Sequence, residues 1–469
     1  MVSTPAVVIA APASGSGKTT VATGLIGALR RAGHRVAPFK VGPDYIDPGY
    51  HGLAAGRPGR NLDPVLAGAE RVVPLYRHGS AGCDLAVVEG VMGLFDGRID
   101  EHNPDPIAEG STAQIAAMLG APVILVVDAR GHSQSLAALL HGFATYDSGI
   151  RLGGVILNRV GSERHEQVLR AACARVGLPV LGALPRLAEL AVPSRHLGLI
   201  PAIEHGSAAQ SAVDAMTDLV AAHIDIAAVA AMAASDTSGP AWDPATELAG
   251  SAAADLGGGE SGPLVAIAGG PAFTFGYAEH RELLSAAGAR VRVFDPLRDE
   301  LPSGTAGLVV PGGFPEEHAA DLAANAHLLA TIAELAGRGL PIHAECAGLL
   351  YLARSLDGHR MAGVIDAEAE FGPRLTLGYR DAVALTDSPL WSAGERVRGH
   401  EFHRTRLTTP GTATPAWAWR SPSGEAVREG AISSRVHASY LHTHPAGNPT
   451  AIARFVSATA DFAHSRVIA

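Results

Sequence analysis

Residues 341–352 read PIHAECAGLLYL: a short apolar run sized for a strand, a Glu-Cys-Ala-Gly turn, and a second apolar run that opens a helix. This is a nucleophile-elbow pattern with cysteine in the reactive position. A thiol at a helix N-terminus faces backbone N–H groups that favour thiolate, so the pattern predicts a reactive Cys346. Covalent chemistry on a carbonyl also needs a base and donors for the developing oxyanion. His437, His442 and His444 lie together in HASYLHTH at 437–444, and VVPGG at 309–313 is a strand running into a Gly-Gly turn. The Gly313 amide can join that of Ala347 as an oxyanion hole. On an alternating strand from His437, Ser439 and Leu441 share its face while His442 and His444 share the other, so the choice of base stays open among the three.

A second chemistry is written near the N-terminus. ASGSGKTT at 13–20 lies between an apolar run at 7–9 and a helical pattern from about 18 to 31. Gly15 and Gly17 let backbone amides approach phosphate, Lys18 meets the outer phosphates, and Thr19, followed by Thr20, offers a hydroxyl to Mg²⁺. Pro12 departs from the strict motif, which has its first glycine there. Further polar residues follow apolar runs that read as strands: Lys40, Asp44, Tyr45 and Asp47 in KVGPDYIDP, Glu89 and Asp96 in EGVMGLFDG, and Asn158. Lys40 can reach a phosphate, and Asp44 and Asp47 can hold Mg²⁺ or position a substrate. Glu89 is the natural Mg²⁺ ligand, Asp96 a candidate for the acceptor side, and Asn158 a donor to an adenine edge. Arg195 and His196, in RHLGL, are candidates for substrate carboxylates. Aspartate and asparagine beside Gly and Pro are also ordinary turn residues.

The elements that must position these groups alternate. Strands are expected over 36–40, 85–88, 123–127, 154–157 and 179–184, with helices over 111–119 and 162–176, which predicts right-handed βαβ units around a mostly parallel sheet. Ligands bind such sheets outside the C-terminal strand ends, where these polar residues fall. From 226 to 263 the chain is rich in Ala, Ser and Gly with almost no periodicity and reads as a flexible linker. Strands resume over 264–268, 289–294 and 306–310. The expected fold is therefore α/β in two domains, residues 1–225 and 263–469, joined by a linker over 226–262.

Composition removes other classes. The 469 residues carry a net charge of −10 with no long basic stripe, which argues against a nucleic-acid partner. The best apolar run, 121–127, is strand-sized, so no membrane span is expected. The N-terminus has no basic region before its apolar run, and the three cysteines, Cys83, Cys173 and Cys346, suit a reducing compartment, so a cytoplasmic protein is expected.

A strand with a Gly-Gly turn, then a cysteine elbow, then a histidine is the order of class I (triad) glutamine amidotransferase domains, which the C-terminal half resembles. Over nearly its whole length the chain resembles the cobyrinic and hydrogenobyrinic acid a,c-diamide synthases. The likeness is carried by ASGSGKTT, FKVGPDYIDP at 39–48, VEGVMGLFDG at 88–97, RHLGL at 195–199, AECAGLLYL at 344–352, GHEFH at 399–403 and ASYLH at 438–442. It implies an N-terminal P-loop domain similar to dethiobiotin synthetase that uses ATP and Mg²⁺, with Lys18, Thr19, Lys40 and Glu89 at those ligands. It also implies Cys346 as nucleophile and His442 as its base. The implied reaction amidates the a and c carboxylates of a corrin with glutamine as donor. The substrates would be small molecules, and a homodimer stays open. GC-rich codon usage, suggested by abundant Ala, Gly, Arg and Pro, favours hydrogenobyrinic over cobyrinic acid as acceptor. Two positions depart from the pattern: Ala347 replaces a second glycine after the cysteine, and GGPAF at 269–273 lacks an aspartate before Ala-Phe. The rival reading is a P-loop regulatory ATPase fused to a degenerate amidotransferase-like sensor.

Overall fold

The computed structural model describes residues 3–99, 107–147, 149–186, 194–195, 198–199, 202–250, 262–408 and 414–468. The chain divides into two compact units, Met1–Trp242 and Asp243–Ala469. No helix among the described residues is long and apolar enough to cross a membrane.

The first unit is built on seven strands: β1 (Ala6–Ala10), β2 (Val36–Val41), β3 (Arg60–Leu62), β4 (Leu85–Glu89), β5 (Val123–Asp128), β6 (Leu152–Val160) and β7 (Val180–Pro185). They lie in the order β3-β2-β4-β1-β5-β6-β7, and every pairing is parallel. β1, β2 and β4 are buried at every residue, which is why they read as unbroken apolar runs rather than alternations. β1 sits at the centre, with β4 and β5 on its two sides, so the loop that follows it opens at the point where the chain turns to both halves of the sheet. Helix α1 (Lys18–Arg31) follows that loop directly and packs closely on the helix Ser207–His223. A Cβ on Gly24 would fall 2.3 Å from the Met216 carbonyl oxygen, and one on Gly27 would fall 2.1 Å from Thr217 Oγ1.

The first part of the segment expected as a linker, 226–242, is built into this unit. Ile226–Met232 is a helix whose N-cap, Asp225, accepts a hydrogen bond from Ala228 N. Ala234 pairs antiparallel with Ala6, and Trp242 is buried, its amide donating to the Pro74 carbonyl. Alanine, which made this stretch look featureless, is the strongest helix former. Only 251–261 of the expected linker lies outside the described residues.

The second unit holds a six-stranded sheet in the order Arg290–Phe294, Leu264–Ala268, Thr305–Val310, Ile342–Glu345, Val436–Ser439, Ala431–Ser433. All neighbours are parallel except the last pair. Val436–Ser439, from the far end of the sequence, therefore lies directly beside the strand that delivers Cys346. A second, mixed sheet, absent from the sequence reading, is built on the long antiparallel strands Glu368–Ala384 and Arg396–Leu407. His442–Thr443 pairs with Gly399–His400 in that sheet. Residues 437–444 are thus not one alternating strand: the first part belongs to one sheet and the last part to the other.

Candidate active site

In the first unit, Gly17 caps α1 with φ of 96° and Gly15 has φ of 77°, left-handed conformations that favour glycine. A Cβ on Gly15 would meet nothing within 4 Å, which leaves the loop backbone open to a ligand. Lys18 is buried and its Nζ donates to the Met92 carbonyl at 2.6 Å, while burial and then the nearby Lys40 lower its pKa. Behind the loop, Asn158 Nδ2 donates to the Ser16 carbonyl at 2.9 Å and Oδ1 accepts from Arg159 N. Arg159 donates to the Gly15 carbonyl at 2.9 Å and pairs with Asp128. Asn158 therefore braces the phosphate loop in this structure, a use that the sequence reading did not foresee.

The acidic residues converge more tightly than spacing alone suggested. Thr19 Oγ1 donates to Glu89 Oε1 at 2.6 Å and lies 3.2 Å from Asp47 Oδ2. Lys40 Nζ sits 2.7 Å from Asp47 Oδ2 and 3.0 Å from Glu89 Oε1. A residue that the sequence reading missed completes the cluster: His51 is fully buried, with Nε2 2.8 Å from Glu89 Oε2. Its signal was the i,i+4 spacing from Asp47 on the helix Asp47–Ala55, which puts both on neighbouring turns. Burial works against the Glu89 charge, but Lys40 and His51 outweigh it and hold the carboxyl at about 2. Burial, reinforced by Asp44 and Glu89, pushes Asp47 up to about 7. An ammonium already lies between two carboxylates that also receive the Thr19 hydroxyl, so this donor set fits a small divalent cation. The described residues hold no cage of three or more His, Cys, Asp or Glu. Mg²⁺ needs none, since it binds through one or two carboxylates together with phosphates and water.

The acceptor-side candidates are placed less tellingly. Asp44 Oδ1 accepts from Ile46 N and Asp47 N at 2.8 and 2.9 Å, an Asx turn at the start of the helix, and its other oxygen is 3.9 Å from Lys40. Tyr45 follows it and is 9% exposed. Asp96 accepts from Gly93 N at 3.0 Å, closing the turn whose Met92 carbonyl holds Lys18. Arg195 lies in a two-residue pairing of Ser194–Arg195 with Gly198–Leu199, and His196 is outside the described residues.

In the second unit, Cys346 sits in the strained left-handed region, φ 50° and ψ −100°, as the N-cap of Ala347–Leu352. Its amide donates to the Ser439 carbonyl at 2.7 Å, tying the elbow to the neighbouring strand. A Cβ on Gly348 would fall 2.1 Å from the Val310 carbonyl oxygen, so only glycine lets this helix seat against the strand that leads to the Gly-Gly turn. That turn in turn contacts His442: a Cβ on Gly312 would lie 2.4 Å from His442 Cε1. The nucleophile, the turn and His442 are thereby gathered at one end of the sheet.

The three histidines now separate. His437 faces Trp417 and His343 with ring centroids at 5.2 and 6.4 Å, and its Nδ1 is 3.2 Å from Ser388 Oγ. His444 Nδ1 accepts from Ala446 N, capping the turn Pro445–Gly447. His442 alone packs on the Gly-Gly turn, with Nδ1 3.9 Å from Glu345 Oε2. Burial pulls His442 down to about 4 against the opposing pull of Glu345.

Burial, then Glu316, Glu345 and Glu401, raise the Cys346 thiol, and the Ala347 amide offsets only part of this. The helix terminus is outweighed because the helix has six residues and the thiol is buried among carboxylates. Glu429, also missed in the sequence, accepts from Ser439 Oγ at 2.6 Å and from Tyr440 N at 2.7 Å, fixing the strand end that holds the elbow.

Comparison with known proteins agrees with both halves. Residues 7–200 match the family profile described as the CobQ/CobB/MinD/ParA nucleotide binding domain, and residues 264–450 match the CobB/CobQ-like glutamine amidotransferase domain. The hydrogenobyrinate a,c-diamide synthase of Mycobacterium bovis is 62% identical, over 96% of this chain and 97% of that protein. The enzyme of the same name from Streptomyces coelicolor is 55% identical over the same shares. The cobyrinate a,c-diamide synthase of a Synechococcus species is 39% identical over 97% and 98%. Similarity of this extent, with a nucleotide-binding half and an amidotransferase half in the same order, places the chain in the family of hydrogenobyrinate and cobyrinate a,c-diamide synthases.

Proposed function

We propose that the chain is a glutamine-hydrolysing, ATP-dependent ligase that amidates the a and c side-chain carboxylates of hydrogenobyrinic acid. The observation that carries this reading is the coexistence on one chain of a phosphate loop facing Lys40, Asp47 and Glu89 and a cysteine elbow gathered with His442. The loop amides of Gly15 and Gly17, with Lys18 and Lys40, hold the nucleotide phosphates, Thr20 adds to that site from the first turn of α1, and Asn158 keeps one amide hydrogen for the base. Thr19, Asp47 and Glu89 would hold Mg²⁺, which neutralises charge on the transferring phosphoryl group. Lys40, released from the carboxylates, turns to phosphate. A carboxylate oxygen of the acceptor attacks the γ-phosphorus and ADP departs. Ammonia nitrogen then attacks the acyl carbon and phosphate leaves. Asp44, Tyr45, Asp96, Arg195 and His196 are assigned to the acceptor side.

Ammonia comes from the second unit. His442 takes the Cys346 proton as sulfur attacks the side-chain carbonyl of glutamine, and the amides of Gly313 and Ala347 hold the oxyanion. The proton passes to the departing ammonia, and water hydrolyses the thioester. Six relatives named for hydrogenobyrinate, at 62% to 42% identity, against 39% and 40% for two named for cobyrinate, support the metal-free acceptor. A cytoplasmic location follows from these substrates.

The test is phosphate release by the purified chain with glutamine and ATP, with and without each corrinoid acid. Acceptor-dependent turnover and a diamide product are expected with hydrogenobyrinic acid. No acceptor dependence would favour the sensor reading, and a higher kcat/KM for cobyrinic acid would overturn the choice of acceptor.

A further inference from the structure

A carboxylate that precedes the nucleophile approaches the Nδ1 nitrogen of His442. Glu345 Oε2 lies 3.9 Å from His442 Nδ1. Its Oε1 accepts from Thr443 N at 3.0 Å and from Thr443 Oγ1 at 2.9 Å, and His343 Nε2 stands 3.3 Å away. The side chain is 12% exposed and so held at fixed distance from a fully buried imidazole. A nucleophile and base pair works best when a third group sets the tautomer of the base and balances its transient charge. We propose that Glu345 is the positioning residue of the glutaminase site, orienting His442 through Nδ1 and balancing the imidazolium that forms when Nε2 takes the Cys346 proton.

The surroundings agree with a permanently charged carboxylate. Burial alone would raise Glu345, yet His343, His442 and His280 together hold it at about 2. Its charge also contributes to keeping the adjacent thiol protonated. The resting pair is therefore neutral thiol and neutral imidazole, and the charge that Glu345 balances appears only as sulfur attacks. Sequence alone gave no hint, because the residue sits before the nucleophile and reads as part of the turn.

The inference rests on the assignment of Cys346 and His442 as the glutaminase pair, so the test carries His442→Asn alongside. Glu345→Gln keeps the size of the side chain and removes its charge. It is expected to lower kcat for glutamine hydrolysis by about 10³-fold, with KM for glutamine within about threefold and ammonium-dependent synthesis retained. Glu345→Asp should recover part of the loss. A kcat within threefold of the parent while His442→Asn is inactive overturns this inference alone; an active His442→Asn overturns the pair beneath it. Equal loss of glutamine-dependent and ammonium-dependent synthesis in Glu345→Gln would show a merely structural carboxylate. Should Glu345→Gln fail to fold, Thr443→Val decides. It removes one hydroxyl that fixes the carboxylate and should lower kcat about tenfold at constant KM, and an unchanged kcat overturns the proposal.

Discussion

Cys346 is set up to react on demand. Burial, with Glu316, Glu345 and Glu401 nearby, favours the protonated thiol, and burial likewise favours neutral His442. Nucleophilicity must then be generated by proton transfer within the pair, as in a serine hydrolase, rather than stored as thiolate. Alkylation of Cys346 by iodoacetamide, followed on its own peptide by mass spectrometry, should rise about tenfold per pH unit from 7 to 9 in the absence of glutamine. A rate that is flat across this range would show a thiolate already present. At this scale the sequence offered candidates where chemistry dictates residue type: the lysine and threonine of the loop, the cysteine and the histidine cluster. It was not readable where a polar side chain serves its own backbone. Asp44, Asp96 and Asn158 were read as ligands, and each also hydrogen-bonds a turn or loop, a use that the sequence did not reveal. His51 and Glu345 went unnoticed for the opposite reason, since their partners are distant or hidden within a motif.

Elements bring these residues together through strand order. Val436–Ser439 lies beside the nucleophile strand with Glu345 opposite Ser439, and Glu429 clamps its end. Burial pushes Glu429 up to about 7 from an ordinary 4.5, so the folded state binds its proton more tightly than the unfolded chain. Its contribution to stability is then full below pH 4.5 and lost as pH rises through 7, up to about 3 kcal/mol at most. Glu429→Gln keeps an acceptor for Tyr440 N and offers a donor to Ser439 Oγ. Urea unfolding midpoints of the parent relative to this variant should therefore fall between pH 5 and 8, and a constant difference would refute the buried acid. The strands of both main sheets were legible because burial on two faces writes continuous apolar runs. The second sheet was not, because strand Glu368–Ala384 mixes exposed and buried residues without a clean period. Nor was the helix Ile226–Met232, whose alanines carry propensity but little pattern.

At the scale of the whole molecule, the sequence motifs identified two chemistries on one chain, and the fold places each in its own compact unit. The division of labour under the proposed function is strict: Cys346 would serve only to release ammonia, and Lys18, Lys40 and Glu89 only to activate the acceptor. Ammonia supplied from solution should bypass the first task and leave the second intact. Cys346→Ser, assayed with hydrogenobyrinic acid, ATP and Mg²⁺, is the most direct measurement of this claim. The account predicts no diamide from glutamine and substantial diamide from high ammonium at alkaline pH, where free ammonia is available. A serine variant that makes no diamide from ammonium, or that still makes it from glutamine, would contradict it.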